Sequence, residues 1–145
     1  MPIYLTIARA TLRKWPMHDR LLIDTCALIW LANKSDSLSV VARLQIEEAD
    51  EVFVSAVSAW EIALKHSKGK LKLPCDPITW FDHALEVFGI KIMQFDHKLW
   101  MRSTQLPDYH KDLADRTIIQ LALENDLTIV THDSRFPQYG VKVLS

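Results

Sequence analysis

The sequence predicts an α/β sandwich of three layers, with a mainly parallel five-stranded sheet between two layers of helix. Three observations predict it. Short apolar runs alternate with longer stretches of helical spacing almost throughout, the pattern of repeated strand–helix–strand units. The short runs read as buried strands, which a sheet covered on both faces requires. Hydrophobic residues make up 49% of the 145 positions, enough for the core of one domain of ordinary size.

The elements follow in order. Leu21-Leu22-Ile23, ending at Asp24, reads as the first strand, and Thr25 to Ala32 as a packed helix. Ser39 caps a helix over 40–49 whose apolar positions recur at helical spacing. Val52-Phe53-Val54 is a short strand, and Ser58 opens a helix through Lys65 with Gly69 as its stop. Asp76-Pro77 starts a helix that Gly89 closes. Residues 90–95 form the third strand, and Asp96 caps a helix over 97–102. Asp112 opens a long helix to Asn125, with Ile118, Leu121 and Ala122 on one face. Leu127 to Val130 is the fourth strand, and 141–144 the fifth. Right-handed crossovers would gather the strand C-terminal ends at one edge, where sheets of this class bind ligands.

Four acids fall at that edge: Asp24 and Asp133 just after strands, Glu61 and Asp115 in first turns of helices. Each has a plain alternative. Asp24 caps the helix from Thr25, and Asp133 caps a short turn in T-H-D-S-R-F. Glu61 completes an S-x-x-E capping box with Ser58, and Asp115 stands three after Asp112 in the same way. Asp115 can also favour the helix dipole or pair with Arg116. Four independent caps would not require a shared cleft, whereas a functional set does. Gathered carboxylates repel one another and hold a proton or a cation. Oxygen donors suit a hard ion such as Mg²⁺, which keeps several waters and accepts phosphate oxygens. The expected chemistry is therefore metal-dependent phosphodiester hydrolysis. Asp24 and Asp133 are the expected direct metal ligands, and Asp115 completes the shell. Glu61 binds directly, binds through water, or acts on the nucleophile.

Other classes are disfavoured. The net charge of −1 gives no general basic excess, so contacts to RNA must be local. Cys26 and Cys75 form neither a zinc pattern nor a disulfide framework, and Cys26 is expected to be buried. This suits a reducing, cytoplasmic location. No apolar run approaches the roughly 18 residues of a membrane helix, so no membrane association is expected. The histidines, including His110 and His132 near the acids, form no zinc motif and read as surface or capping groups. There is no glycine-rich phosphate loop and no G-x-S-x-G elbow. Aspartyl-phosphate phosphatases need a second Asp two residues after the first, but Thr25 and Cys26 follow Asp24 here. Receiver domains need adjacent acids at that point. Trp30, Trp60, Trp80 and Trp100 fall in helices and read as core or interface.

Five segments resemble one family in order and spacing: L-L-I-D-T-C-A-L-I-W-L (21–31), V-S-A-V-S-A-W-E-I-A-L-K (54–65), G-K-L-K-L (69–73), H-K-D-L-A-D-R (110–116) and T-I-V-T-H-D (128–133). They resemble the PIN domains, specifically the VapC-type toxins of toxin–antitoxin pairs. The resemblance implies an endoribonuclease using Mg²⁺ or Mn²⁺, with Asp24, Glu61, Asp115 and Asp133 as its acids. It places the hydroxyls of Thr25 and Thr131 near the metal and Asp112 as an extra acid. It further implies a homodimer and a VapB-like antitoxin that lays a helix and an extended tail over the cleft. The chain departs from the family at Cys26, where His is frequent, and at Leu113, where Pro is frequent. Neither removes a carboxylate. The alternative function is a PIN-like module that binds RNA or protein without cutting.

Lys65, Lys68 and Lys70 form the best basic patch, able to grip a phosphate backbone or simply to complement a helix C-terminus. Arg116 is placed to meet a scissile phosphate or to form an ion pair. The apolar helices exceed what a small sheet can cover, so some of their surface is expected to bury against another protein. Residues 1–20 carry a net +3, leaving −4 for the remainder. They read as an N-terminal extension or an early start ahead of Met17, with a transit segment as the alternative, and residues 21–145 as the PIN domain.

Overall fold

The computed structural model describes residues 20–145. The expected extension lies, apart from Arg20, outside the described residues. The strands are β1 (Arg20–Ile23), β2 (Glu51–Ser55), β3 (Lys91–Met93), β4 (Thr128–Val130) and β5 (Lys142–Leu144). The helices are α1 (Thr25–Ala32), α2 (Val40–Glu48), α3 (Ala56–Ser67), α4 (Pro77–Phe88), α5 (His97–Ser103) and α6 (Leu113–Asn125), and a 3₁₀ turn spans Phe136–Tyr139.

All five strands are parallel, in the order β3-β2-β1-β4-β5. The sheet grows outward from β1 to β3 on one side and from β4 to β5 on the other. The order therefore reverses between β1 and β4, which is where such sheets open a crevice. Ile23 is in register with Val54 on one side and Val130 on the other. The residues that follow these three strands thus emerge at one level. Asp24 is tied there by its own N–H, which donates to Val130 O at 3.0 Å.

Alternate residues of each strand enter different cores. Leu21, Ile23, Val52 and Val54 pack with α1, α2 and α4, where Leu28, Ile46 and Phe81 are buried. Leu22, Phe53 and Ile129 pack on the opposite face with Leu99 of α5 and Ile118, Ile119 and Leu121 of α6. Leu21, Leu22 and Ile23 are wholly buried because successive side chains point to opposite, equally covered faces.

Most expected boundaries hold. Asp24, Ser39, Asp76, Asp96 and Asp112 each accept a hydrogen bond from a first-turn N–H of the helix they precede. Three details differ. β1 starts at Arg20, whose guanidinium meets Glu51 of β2 at 3.6 Å. β3 is three residues long rather than six. The cap of α3 is Ser55, not Ser58, because Ser55 Oγ accepts the Val57 N–H at 3.1 Å. That shift places Glu61 in the second turn, so it closes no capping box.

Candidate active site

A cleft of about 670 Å³ opens beyond the C-terminal ends of β1 and β4. Asp24, Glu61, Asp112, Asp115 and Asp133 all line it, as do Thr25 and Lys65. All five acids take part in the repulsion across it. Asp24 feels the negative charges of Glu61 and Asp133, and Asp115 those of Asp112, Glu61, Asp24 and Asp133.

Asp24 is both cap and cleft residue. Its Oδ1 accepts the Ala27 N–H at 2.7 Å, and it shares a hydrogen bond with the Thr131 hydroxyl. Burial pushes its carboxyl above the ordinary carboxylate value and the neighbouring acids push it further, while the two hydrogen bonds oppose them. Thr131 is itself buried, and its Oγ1 also accepts the Asp133 N–H at 3.1 Å, so one hydroxyl braces both acids. Thr25 lies deeper. Its hydroxyl donates to Ser58 Oγ at 2.9 Å and joins α1 to α3.

Glu61 reaches the cleft from the second turn of α3. Lys65, one turn on, approaches one carboxylate oxygen, Oε2, at 3.5 Å. The other oxygen, Oε1, is buried with no hydrogen-bond partner. Such an orphaned acceptor is costly unless a cation or a proton-bearing ligand meets it.

Asp115 sits in the first turn of α6, its N–H donating to Asp112 Oδ1 at 2.9 Å. Burial first, and then the surrounding carboxylates, raise its pKa from the ordinary 3.8 to about 7. Asp133 moves the other way, to about 2, chiefly because the Arg135 guanidinium donates to it.

His110, read as a capping or surface group, is buried and connects these two acids. Its Nδ1 accepts the Asp112 N–H at 3.1 Å, which leaves the ring proton on Nε2. That N–H then donates to Asp115 Oδ2 at 2.8 Å and Asp133 Oδ2 at 3.0 Å. The three ligand-type atoms lie within 4.8 Å of one another.

Arg116 takes a different place from the one expected. It is buried, and its two terminal nitrogens donate to the carbonyls of Pro107, His110, Ser103 and Leu106 at 2.8–3.0 Å. No terminal donor is left for a phosphate. Its nearest carboxylate is Asp108 at 3.9 Å, rather than Asp115. Its work is to fold the 103–110 segment so that His110 reaches the acids. The arginine that does face the cleft is Arg135, half exposed and pinned to Asp133. The T-H-D-S-R-F motif carried a signal for it, since an Asx turn joins Asp133 Oδ1 to the Arg135 N–H at 2.9 Å. Cys26 is exposed at the cleft rather than buried, because Asp24 and Thr25 already fill the inward positions of that turn. Lys68 and Lys70 are exposed beyond the end of α3 and do not line the cleft.

A parallel sheet with carboxylates clustered at its switch point defines an α/β protein of acidic-centre type. The chain belongs to the PIN domain family, whose model matches residues 21–142. Ribonuclease VapC22 of Mycobacterium tuberculosis is 28% identical over 115 residues, covering 79% of this chain and 87% of that protein. The structure of VapBC2 from Rickettsia felis, bound to a DNA fragment from its promoter, matches with a TM-score of 0.65 at 19% identity. That match covers 86% of this chain and 97% of the other. FitAcB from Neisseria gonorrhoeae matches with a TM-score of 0.59 at 23% identity, over 86% and 96% of the two chains. At these identities the two structures show the fold.

Proposed function

We propose that the chain is a toxin endoribonuclease that hydrolyses RNA phosphodiester bonds with a divalent metal, Mg²⁺ or Mn²⁺. The observation that carries this is the orphaned Glu61 Oε1, buried in a cleft whose other acids repel one another. The donors are carboxylate oxygens, which suit a hard divalent ion and would find a compensating charge in it. Asp24, Asp115 and Asp133 would hold the metal. When bound, it would lower the pKa of a coordinated water and stabilise charge on the phosphate oxygens.

The chain's own residues supply the rest. Glu61 Oε1 can take the proton of the attacking water. The Thr131 hydroxyl fixes Asp24 and, through the Asp133 N–H, the turn after β4. Asp112 and Thr25 hold the backbone and helix contacts that aim the acids. Lys65, with Lys68 and Lys70 beyond the helix end, can hold backbone phosphates on the way into the cleft.

We further propose residues 21–145 as the catalytic domain, with 1–20 as an extension, a cytoplasmic location beside the RNA substrate, and a homodimer bound by a VapB-like antitoxin. The VapBC2 match and the PIN membership support the partner. Exposed apolar side chains support a protein interface: Trp60 is 57% exposed, Met101 66% and Leu113 77%. Among the described residues no helix is long and apolar enough to cross a membrane.

The test is cleavage of total RNA with Mg²⁺. Cutting should stop with EDTA and in Asp24→Asn and Asp115→Asn, with circular dichroism unchanged. Variants that cut as well as wild type would move the site elsewhere, and metal-independent growth arrest by both variants would point to binding without cutting.

A further inference from the structure

We infer that Arg135 is a phosphate-binding residue held on Asp133, and that its guanidinium and the metal contend for that carboxylate. This rests on the proposal that Asp133 is a metal ligand. A carboxylate offers about four acceptor directions. On Asp133 all four are taken: Oδ1 accepts the Arg135 N–H and Nε–H, at 2.9 and 3.0 Å. Oδ2 accepts from Arg135 Nη2 at 2.7 Å and His110 Nε2 at 3.0 Å. A cation can reach Asp133 only if one donor yields.

The fixed donors are identifiable. The Arg135 N–H is part of the turn. His110 is 4% exposed, its ring held by the Asp112 N–H and its backbone N–H by the Tyr139 hydroxyl at 2.7 Å. The Arg135 side chain is 51% exposed and hydrogen-bonds only to Asp133 among the described residues, so it is the donor that moves. Its planar fork fits two phosphate oxygens as well as it fits a carboxylate. Once the charge of Asp133 is neutralised by a metal, the fork stands free at the mouth of the cleft, beside the place a phosphodiester must occupy. Arg116, itself buried and with its terminal donors spent on four backbone carbonyls, has no such freedom.

The two parts of this exchange predict opposite signs. Mn²⁺ affinity is measured by calorimetry on the full chain, for wild type, Arg135→Ala and Arg135→Lys. Removing a competing exposed ion pair should tighten Mn²⁺ binding in Arg135→Ala by about two- to fivefold. Binding of a single-stranded RNA oligonucleotide, with saturating Ca²⁺ to prevent turnover, should weaken about tenfold. The slope of log affinity against log salt should fall by about 0.7, the loss of one phosphate contact. Arg135→Lys should restore the slope without the full affinity. If Arg135→Ala binds Mn²⁺ no better or more weakly, Arg135 only orients Asp133 and the exchange is wrong. Unchanged RNA affinity and slope would remove the phosphate contact. If wild type binds no metal at all, the active-site reading fails with it, an outcome distinct from the other two.

Discussion

Asp115 and Asp133 are joined by side-chain donors of their own chain, whereas Asp24 and Glu61 are not. The first pair shares the His110 N–H, and Asp133 also takes the Arg135 fork. Asp24 receives only the neutral donors Ala27 N–H and the Thr131 hydroxyl, and Glu61 leaves one buried oxygen bare beside a lysine at 3.5 Å. One wall of the cleft is therefore set in place before any ligand arrives, and the other keeps unspent negative charge. A preorganised wall lowers the cost of ordering ligands around an ion, and an unsatisfied wall makes the ion necessary.

The sharpest way to break this contrast is Glu61→Gln. If Glu61 Oε1 is the proton acceptor, cleavage should fall by about two to four orders of magnitude. The same change should leave the metal-free protein as stable or more so, because an amide can donate to neighbouring carboxylates where Glu61 could only repel them. Activity on labelled RNA and thermal melting in EDTA check the two halves. A clear drop in melting temperature would mean that Glu61 already has a stabilising partner.

The other wall should respond to His110. His110→Ala should weaken Mn²⁺ binding about 10- to 100-fold, the usual effect of losing a residue that orients metal ligands. His110→Gln, which keeps an N–H near the Nε2 position, should recover part of it. Equal losses in both variants would show that ring packing, not the donated hydrogen bond, matters.

Arg116 separates support from chemistry. Arg116→Ala removes four hydrogen bonds to backbone carbonyls, two of them in buried surroundings, so it should cost about 3 kcal/mol of stability. On a domain of this size that lowers Tm on the order of 10 °C. Arg116→Lys should rescue little, since an ammonium cannot fork to the same four acceptors. A variant that melts normally yet loses activity would return Arg116 to the phosphate.

These residues also show where the sequence speaks and where it is silent. Caps such as Ser39, Asp76 and Asp112 were legible because a short polar side chain satisfies a backbone N–H two or three residues away, a purely local event. The gathering of Asp24, Asp115 and Asp133 in one cleft follows from their positions at strand ends and a helix start once the sheet is parallel, whereas Glu61 reaches it from the second turn of α3 rather than the first. Ser55 and Ser58 both suit a helix start, and only the length of β2 decides between them. The partners of Arg116 were invisible, because they are carbonyls, which every residue carries. His110 stands in no zinc motif, and its role here needs only one donor and one acceptor, which no motif records. Cys26 looked apolar in a run of apolar residues, but the helix turns it toward the cleft.

The smallest expected effect is on pH, and its sign separates Asp24 and Asp115 from Asp133. The folded pKa of Asp115, about 7, lies above its ordinary 3.8, and that of Asp24 is raised too. The folded state therefore holds extra protons between about pH 4 and 7, and the metal-free protein should lose stability as pH rises through that window. Asp133, with a folded pKa of about 2, acts oppositely, but its contribution is lost only as pH falls below about 4. Melting in EDTA should thus drop by a few degrees from pH 5 to 7 and then level off. With Mg²⁺ present the protons are displaced by the ion, so the stabilisation it gives should grow with pH up to about 7. Asp115→Asn should flatten most of the EDTA slope. If the slope survives that change, the extra proton belongs to a group other than Asp115.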